Sequence, residues 1–462
     1  MISSITERLA EILARPVDDR TRARACHHLV DWLACAALGA TAPAGAALIA
    51  YTHRAPAGPC FTVGGTRRMP EAAAFVNGGL GNIFEMDDLH RTSIVHPGDV
   101  VIPAALALAE DMGANGPTVL DAVVRGYEAA IRIGVAAGTS HYEHWYNTAT
   151  CGVFGAAAAA ASLLGLDRAA TVDALGQAGM QAAGLWQCRL EPTYSKQLAT
   201  ARAAQSGVIA GGLAAFGFPG ARKILEGAHG FFTATCPGAD PGVTVADPDE
   251  PWRLHDTSFK PWSACRHAHP VIEAGLVLHR RGAGRAIREI TVATYQDAVA
   301  FCDSPTPETP HEARFSLQHC AALALREGRA GLAEFTPAAI ADESTTALRR
   351  KISVHAEATA TAAFPERYSA AVAVTYEDGS RDEVHVENAK GDPENPMTEA
   401  EITAKSHELM AAAGVAGEVV DKLWRATAEL VHGGDISILS AVLDRINIGA
   451  PASSAQERQS EP

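Results

Sequence analysis

The chain has 462 residues, 47% hydrophobic and 20% charged, enough for a large core in two or three domains and too apolar for a disordered protein. Its 38 Lys and Arg against 53 Asp and Glu leave a formal net charge of −15. That speaks against nucleic acid or an anionic membrane as partner, since both need a cationic footprint, while a local cluster of Lys, Arg and His can still hold an anionic substrate.

The opening MISSITERLAEILARPVDD is amphipathic and polar, without a basic segment leading into an apolar core, so no signal peptide is expected. No stretch of about 18 residues is apolar throughout, so no membrane span is expected either. The nine cysteines are scattered and form no C-x-x-C, which suits a reduced, cytoplasmic chain.

Residues 21–40 are apolar at helical spacing, with Thr21 as the expected N-cap. Helical patterns continue over 103–112, starting at Pro103, and over 117–138, 152–166, 168–186 and 197–217. The run Ala156 to Ala161 predicts close helix packing. A Pro/Gly/Asp-rich stretch at 236–252 reads as a linker or junction. Strand alternation follows at 288–295, 351–360, 370–379 and 382–389, with Asp378-Gly379 as a hairpin signal. Helical segments around 266–281 and 311–327 separate the strands, helices resume from Thr398, and the last dozen residues read as frayed.

Lysine occurs at only seven positions, 196, 223, 260, 351, 390, 405 and 422, while 31 cations are Arg. A neutral amine that accepts a proton is one reason to keep a lysine, because Arg cannot supply it; composition bias is the other. Five polar clusters sit in apolar surroundings. Residues 85–96 hold Glu85, Asp87, Asp88, His90 and His96, which read as an acid/base site or as ordinary capping carboxylates. His141, His144, Tyr146 and Thr148 precede a small-residue helix, as an anion site or as a simple cap. Lys196 lies just before, or in the first turn of, a helix, where the dipole disfavours a cation. Lys260 is followed by Arg266, His267 and His269, and Arg314 and His319 open an apolar helix. H-A-H without a third ligand is a weak metal signal. Dinucleotide, P-loop and H-E-x-x-H signatures are absent. Side-chain chemistry without metal or cofactor is therefore expected.

In order, the segments are DD, HPGDVVIPAALALAE, TATCGVFGAAAAAASLLGL, SKQLATARAAQSGVIAGGLAAFGFPG, SFKPWSAC, HEARFSLQHCAALAL and GDPENPMT. This order resembles the MmgE/PrpD family over nearly the whole chain. That family includes 2-methylcitrate dehydratase, cis-aconitate decarboxylase and iminodisuccinate epimerase. The resemblance implies a mostly α fold: a large all-α helical domain (1–258 and 398–462) and a smaller α/β lid domain (259–397) of α+β type. It also implies a homodimer, no cofactor, a small polycarboxylate substrate and a site between the domains. Lys196, Lys260 and His96 match the decarboxylase pattern. Tyr146 stands where that pattern has histidine, with Thr148 retained. Glu85 replaces the first acid of D-x-D-D, Asp87 and Asp88 remain, and His319 replaces a tyrosine.

The chemistry to be served is movement of a proton α to a carboxylate, which needs a base and stabilisation of the developing charge. Lys196 or Tyr146 would take the proton, with His96 and Asp88 in the catalytic group. Lys260, Arg266 and His96 would hold carboxylates, and Glu85, Asp87, Thr148, His267 and His319 would complete substrate binding. A lyase is the leading expectation; an epimerase using Lys196 and Tyr146 as two bases is the alternative, and a non-catalytic carboxylate-binding scaffold is the third reading.

Overall fold

The computed structural model describes residues 3–448 apart from 192, 283 and 447; the tail expected to fray, 451–462, lies outside the described residues. The architecture is mostly α with one small mixed sheet. Contacts divide the chain into two compact units. The first holds residues up to 83, 95–255 and from 400 on; the second holds 84–94 and 256–399. The segment 84–94 thus counts with the strand-bearing unit, although its sequence neighbours on both sides are helical. The stretch read as a linker, 236–252, belongs to the first unit and contains a 3-10 turn, Pro241–Val245.

Several boundaries move for local reasons. The long N-terminal helix α1 (Asp19–Ala40) is capped by Asp18, whose carboxylate accepts the Thr21 N–H at 2.7 Å. Thr21 is therefore not the cap: an aspartate three residues earlier serves the same exposed N–H group. Helix α2 (Gly98–Met112) starts ahead of the expected Pro103, which lies inside it. Helix α3 (Gly116–Tyr142) breaks at Gly138, whose φ of 69° and ψ of −175° are open to glycine.

Helix α4 (Gly152–Leu163) and helix α5 (Ser195–Ala215) approach backbone to backbone. A Cβ on Gly207 would meet the Ala156 Cβ at 2.2 Å and the Ala157 nitrogen at 2.7 Å, and one on Gly155 would meet the Gly126 carbonyl oxygen at 2.6 Å. Ala156 to Ala161 are all buried, so small residues set the helix spacing there. Late in the chain, Lys405 of the helix Glu399–Ala412 forms a buried 2.6 Å ion pair with Asp31 of α1.

In the second unit the strands are β1 (Ile287–Thr294), β2 (Ile352–Ala356), β3 (Ala370–Tyr376) and β4 (Arg381–Val386). Their order is β2-β1-β3-β4, parallel between β1 and β2 and antiparallel elsewhere. The expected strand 351–360 ends early because Glu357 caps a short helix, Ala358–Ala363. Val292, Val372 and Val374 of the sheet join Val271, Ile272 and Leu278 in one apolar core. No single helix among the described residues is long and apolar enough to cross a membrane.

Gly207→Val places a Cβ and two methyl groups where Ala156 and Ala157 of α4 already crowd. It is expected to cost about 1–3 kcal/mol or more, read as a lower urea midpoint, whereas Gly212→Ala, with nothing within 4 Å of its added Cβ, should be nearly neutral.

Candidate active site

In the first unit, Tyr146 caps a one-turn helix, Asn147–Thr150. Its N–H donates to the Gly184 carbonyl at 2.9 Å, and its ring stacks on Trp186 at 4.5 Å between centroids. The Lys196 Nζ lies 5.9 Å from the centre of the same ring, within reach of a cation–π attraction. Lys196 is the second residue of α5, so it stands in the first turn and not before it. Thr148, fully buried, accepts the His96 N–H at 3.1 Å and so fixes the chain entering α2. Lys196 thus stands near the Tyr146 ring, and the His96 backbone is tied to Thr148, two residues further along the same short helix, all within one unit.

His141 has a different role. Its Nδ1 contacts the Thr235 carbonyl at 2.9 Å and its Nε2 the Thr150 hydroxyl at 2.8 Å, and burial lowers its pKa. His144 sits on the surface beside Glu143.

In the second unit, Lys260 is completely buried. Its Nζ donates to Asp87 Oδ1 at 3.0 Å and lies 3.7 Å from Glu85 Oε2. Glu85 takes a left-handed φ of 55° and Ile94 one of 53°, unusual for residues with a Cβ and a form of local strain that concentrates at functional sites. Reciprocal backbone bonds between Leu89 and Ser258, at 3.0 and 2.8 Å, hold this loop in place. Ser263 donates to the Phe84 carbonyl at 2.8 Å, and Arg314 donates to Ser263 at 3.0 Å while lying over the Phe84 ring. Burial pulls the Arg314 pKa down to about 10, against the opposing charge of Glu85. Asp88 is buried in the same segment.

The GDPENP segment explains itself here. Asp392 accepts hydrogen bonds from Ser258 at 2.8 Å and from Arg266, and pairs with Arg91 at 3.2 Å. Gly391 has φ of 98°, and a Cβ on it would stand 1.9 Å from the Phe259 carbonyl oxygen. The segment holds the strip that carries Lys260.

Three residues expected to bind substrate have protein partners instead. Arg266 donates to the carbonyls of Ala389 and Lys390 at 3.2 and 3.1 Å and to Asp392, so its guanidinium ties this loop and is not a free anion receptor. His319 uses both ring nitrogens: Nε2 faces the Glu334 carbonyl at 3.1 Å, and Nδ1 accepts from Arg349 at 3.1 Å. His267 is packed among the rings of Tyr295, Phe301, Phe364 and Tyr368, with Nδ1 2.5 Å from the Tyr295 hydroxyl. Each exception has the same cause: polar groups beside an apolar helix were satisfied by partners distant in sequence. His269 likewise meets Arg266 at 3.0 Å and the Ala264 carbonyl at 3.1 Å. Sequence reasoning missed Trp186, Asp392 and Arg91. The GDPENP glycine and acid carried a signal for Asp392; nothing local marked Trp186.

The MmgE/PrpD N-terminal domain model matches residues 3–244 and the MmgE/PrpD C-terminal domain model residues 262–426. The chain belongs to the MmgE/PrpD family. It is similar to a cis-aconitate decarboxylase-like protein of Aspergillus oryzae, 28% identical over 91% of this chain and 92% of that protein. It is also similar to the human cis-aconitate decarboxylase, 26% identical over 96% and 95% of the two chains. The cis-aconitate decarboxylase of Aspergillus terreus is 31% identical over 56% of each chain.

Removing the Lys260 ammonium leaves two carboxylates buried without it. Lys260→Met is therefore expected to lower stability by about 3–5 kcal/mol, measured by chemical unfolding at neutral pH. His319 gives a pH signature. Burial lowers its pKa to about 4, so the unfolded chain takes up this proton first as pH falls. Stability is expected to drop between about pH 6.5 and 4, by up to about 3 kcal/mol from this group, and His319→Gln should flatten that part of a Tm-against-pH curve.

Proposed function

We propose that the chain is a cofactor-independent lyase that moves a proton at the carbon next to a carboxylate of a small di- or tricarboxylate and expels carbon dioxide or water. The observation that carries this reading is the grouping of Lys196, Tyr146, Thr148 and His96 in the first unit, with Nζ 5.9 Å from the phenol ring. An amine beside a phenol, with the His96 backbone tied to the same short turn, supplies a proton acceptor and donors for the charge that develops. In a decarboxylation the carboxylate leaves as carbon dioxide, its bonding electrons stay on the substrate, and protonated Lys196 or His96 delivers a proton to the carbon skeleton. In a dehydration Lys196 takes the α-proton and His96 protonates the hydroxyl that leaves as water. Tyr146 and Thr148 orient the substrate in both. The similarity to proteins named cis-aconitate decarboxylase favours decarboxylation over dehydration.

A second reading, epimerisation of a dicarboxylate, is favoured by one observation: a phenol at position 146 beside Lys196 offers two groups that can each exchange a proton. The two readings separate when cis-aconitate and related polycarboxylates are incubated with the protein in D₂O and followed by NMR. Loss of carbon dioxide or water is expected. Deuterium entering an α-carbon with no such loss would establish the epimerase and exclude the lyase. Lys196→Ala is expected to lower kcat by about 10²-fold or more, and full activity in that variant would overturn the assignment.

A further inference from the structure

Arg314 is a buried cation to which the chemistry above gives no part. It ends the short helix Pro310–Arg314 of the second unit and is 7% exposed. Three contacts fix it. Its carbonyl accepts the Cys265 N–H at 2.9 Å, its Nε–H donates to Ser263 Oγ at 3.0 Å, and its Cζ lies 4.8 Å from the centre of the Phe84 ring. Ser263 is oriented in turn by the Phe84 carbonyl, at 2.8 Å. None of these partners carries a negative charge. The other buried arginines of the unit are provided for: Arg91 pairs with Asp392 and Glu394, Arg266 pairs with Asp392, and Arg349 donates through its Nη groups to His319, the Ile340 carbonyl and Thr346. Among the described residues Arg314 forms no ion pair, and its one side-chain hydrogen bond leaves from Nε.

We infer that Arg314 is a carboxylate receptor: one carboxylate of a small polycarboxylate docks end-on against its Nη1 and Nη2, while Ser263 and the Phe84 ring hold the guanidinium in place. The inference rests on the substrate class proposed above. A buried cation without a counter-ion is costly, and a guanidinium at neutral pH does not escape by losing its proton. Glu85 attracts Arg314, but its Oε2 lies 3.7 Å from Lys260 Nζ, and burial outweighs that attraction at Arg314. Lys260 is itself compensated, by Glu85 and by Asp87 at 3.0 Å, so the positive charge left for an incoming anion is the one on Arg314. With Nε committed to Ser263, the edge that remains carries two parallel N–H donors, which match the two oxygens of a carboxylate.

Calorimetric titration of the full chain with cis-aconitate, tricarballylate and inorganic phosphate tests this. Arg314→Gln removes charge and donors together and is expected to weaken polycarboxylate binding about 10²-fold. Arg314→Lys keeps the charge without the paired donors and should weaken it about tenfold. In turnover the loss should fall on KM with kcat little changed, a split that loosened packing alone would not give. Should neither variant fold, the wild-type chain still decides: bound tricarballylate should protect Arg314 from phenylglyoxal, read by peptide mass mapping. Undiminished binding in a folded Arg314 variant, absent protection, or binding of phosphate and no polycarboxylate would overturn the inference. Lys196→Ala separates it from the proposed chemistry. Full turnover in that variant beside weak binding in Arg314→Lys would remove the mechanism and leave the receptor standing. Lost turnover in Lys196→Ala with undiminished binding in both Arg314 variants would do the reverse, and a wild-type chain that binds no polycarboxylate would remove both.

Discussion

A buried ammonium is the constraint around which the second unit is arranged. Lys260 is fully enclosed, and an enclosed cation needs both an opposite charge and hydrogen bonds before its burial is tolerable. Asp87 and Glu85 supply the charge. To bring them there, the chain leaves the helical unit at residue 84, turns through two left-handed residues and returns at 95. Asp392 performs the matching task beneath, gathering Ser258, Arg91 and Arg266 so that the strip bearing Lys260 cannot shift. Much of the polar sequence that resembles a binding site is this support.

The first unit meets its own constraint by opposite means. Its helices approach so closely at Gly155 and Gly207 that not even a Cβ fits there without a shift of the facing helix. Close packing of nearly featureless helices leaves the first turn of α5 and the turn at Tyr146 as places where polar groups are concentrated. Lys196 stands there, part-buried over a ring itself clamped by Trp186. Rigid small-residue packing thus fixes where these side chains stand.

Lysine scarcity is an instructive signal because it mixes two causes. Lys196 and Lys260 do mark unusual environments. Lys405 marks one too, yet it joins Asp31 across two helices of the body and serves packing. A rare residue type points to special surroundings; whether these are chemical or architectural depends on what else lies there. The same holds for histidine, where His96 borders a helix entry while His141 and His319 spend both ring nitrogens on partners within the protein.

By itself the sequence determined the mostly α class, the strand-bearing insertion, the helical return after residue 398 and the family, because hydrophobic period and segment order are properties of the chain read along its length. It also singled out Lys196, Tyr146, Thr148 and His96, which the first unit gathers at local turns next to helix ends. Only the tertiary structure decided that Asp18 and not Thr21 caps α1, that residues 84–94 belong with the strands, and that Arg266, His267 and His319 are bound within the protein. The reason is physical: a polar side chain entering an apolar interior takes the nearest available partner, and Asp392, Tyr295 and Arg349 lie far from those residues in sequence and close to them only once the chain has folded.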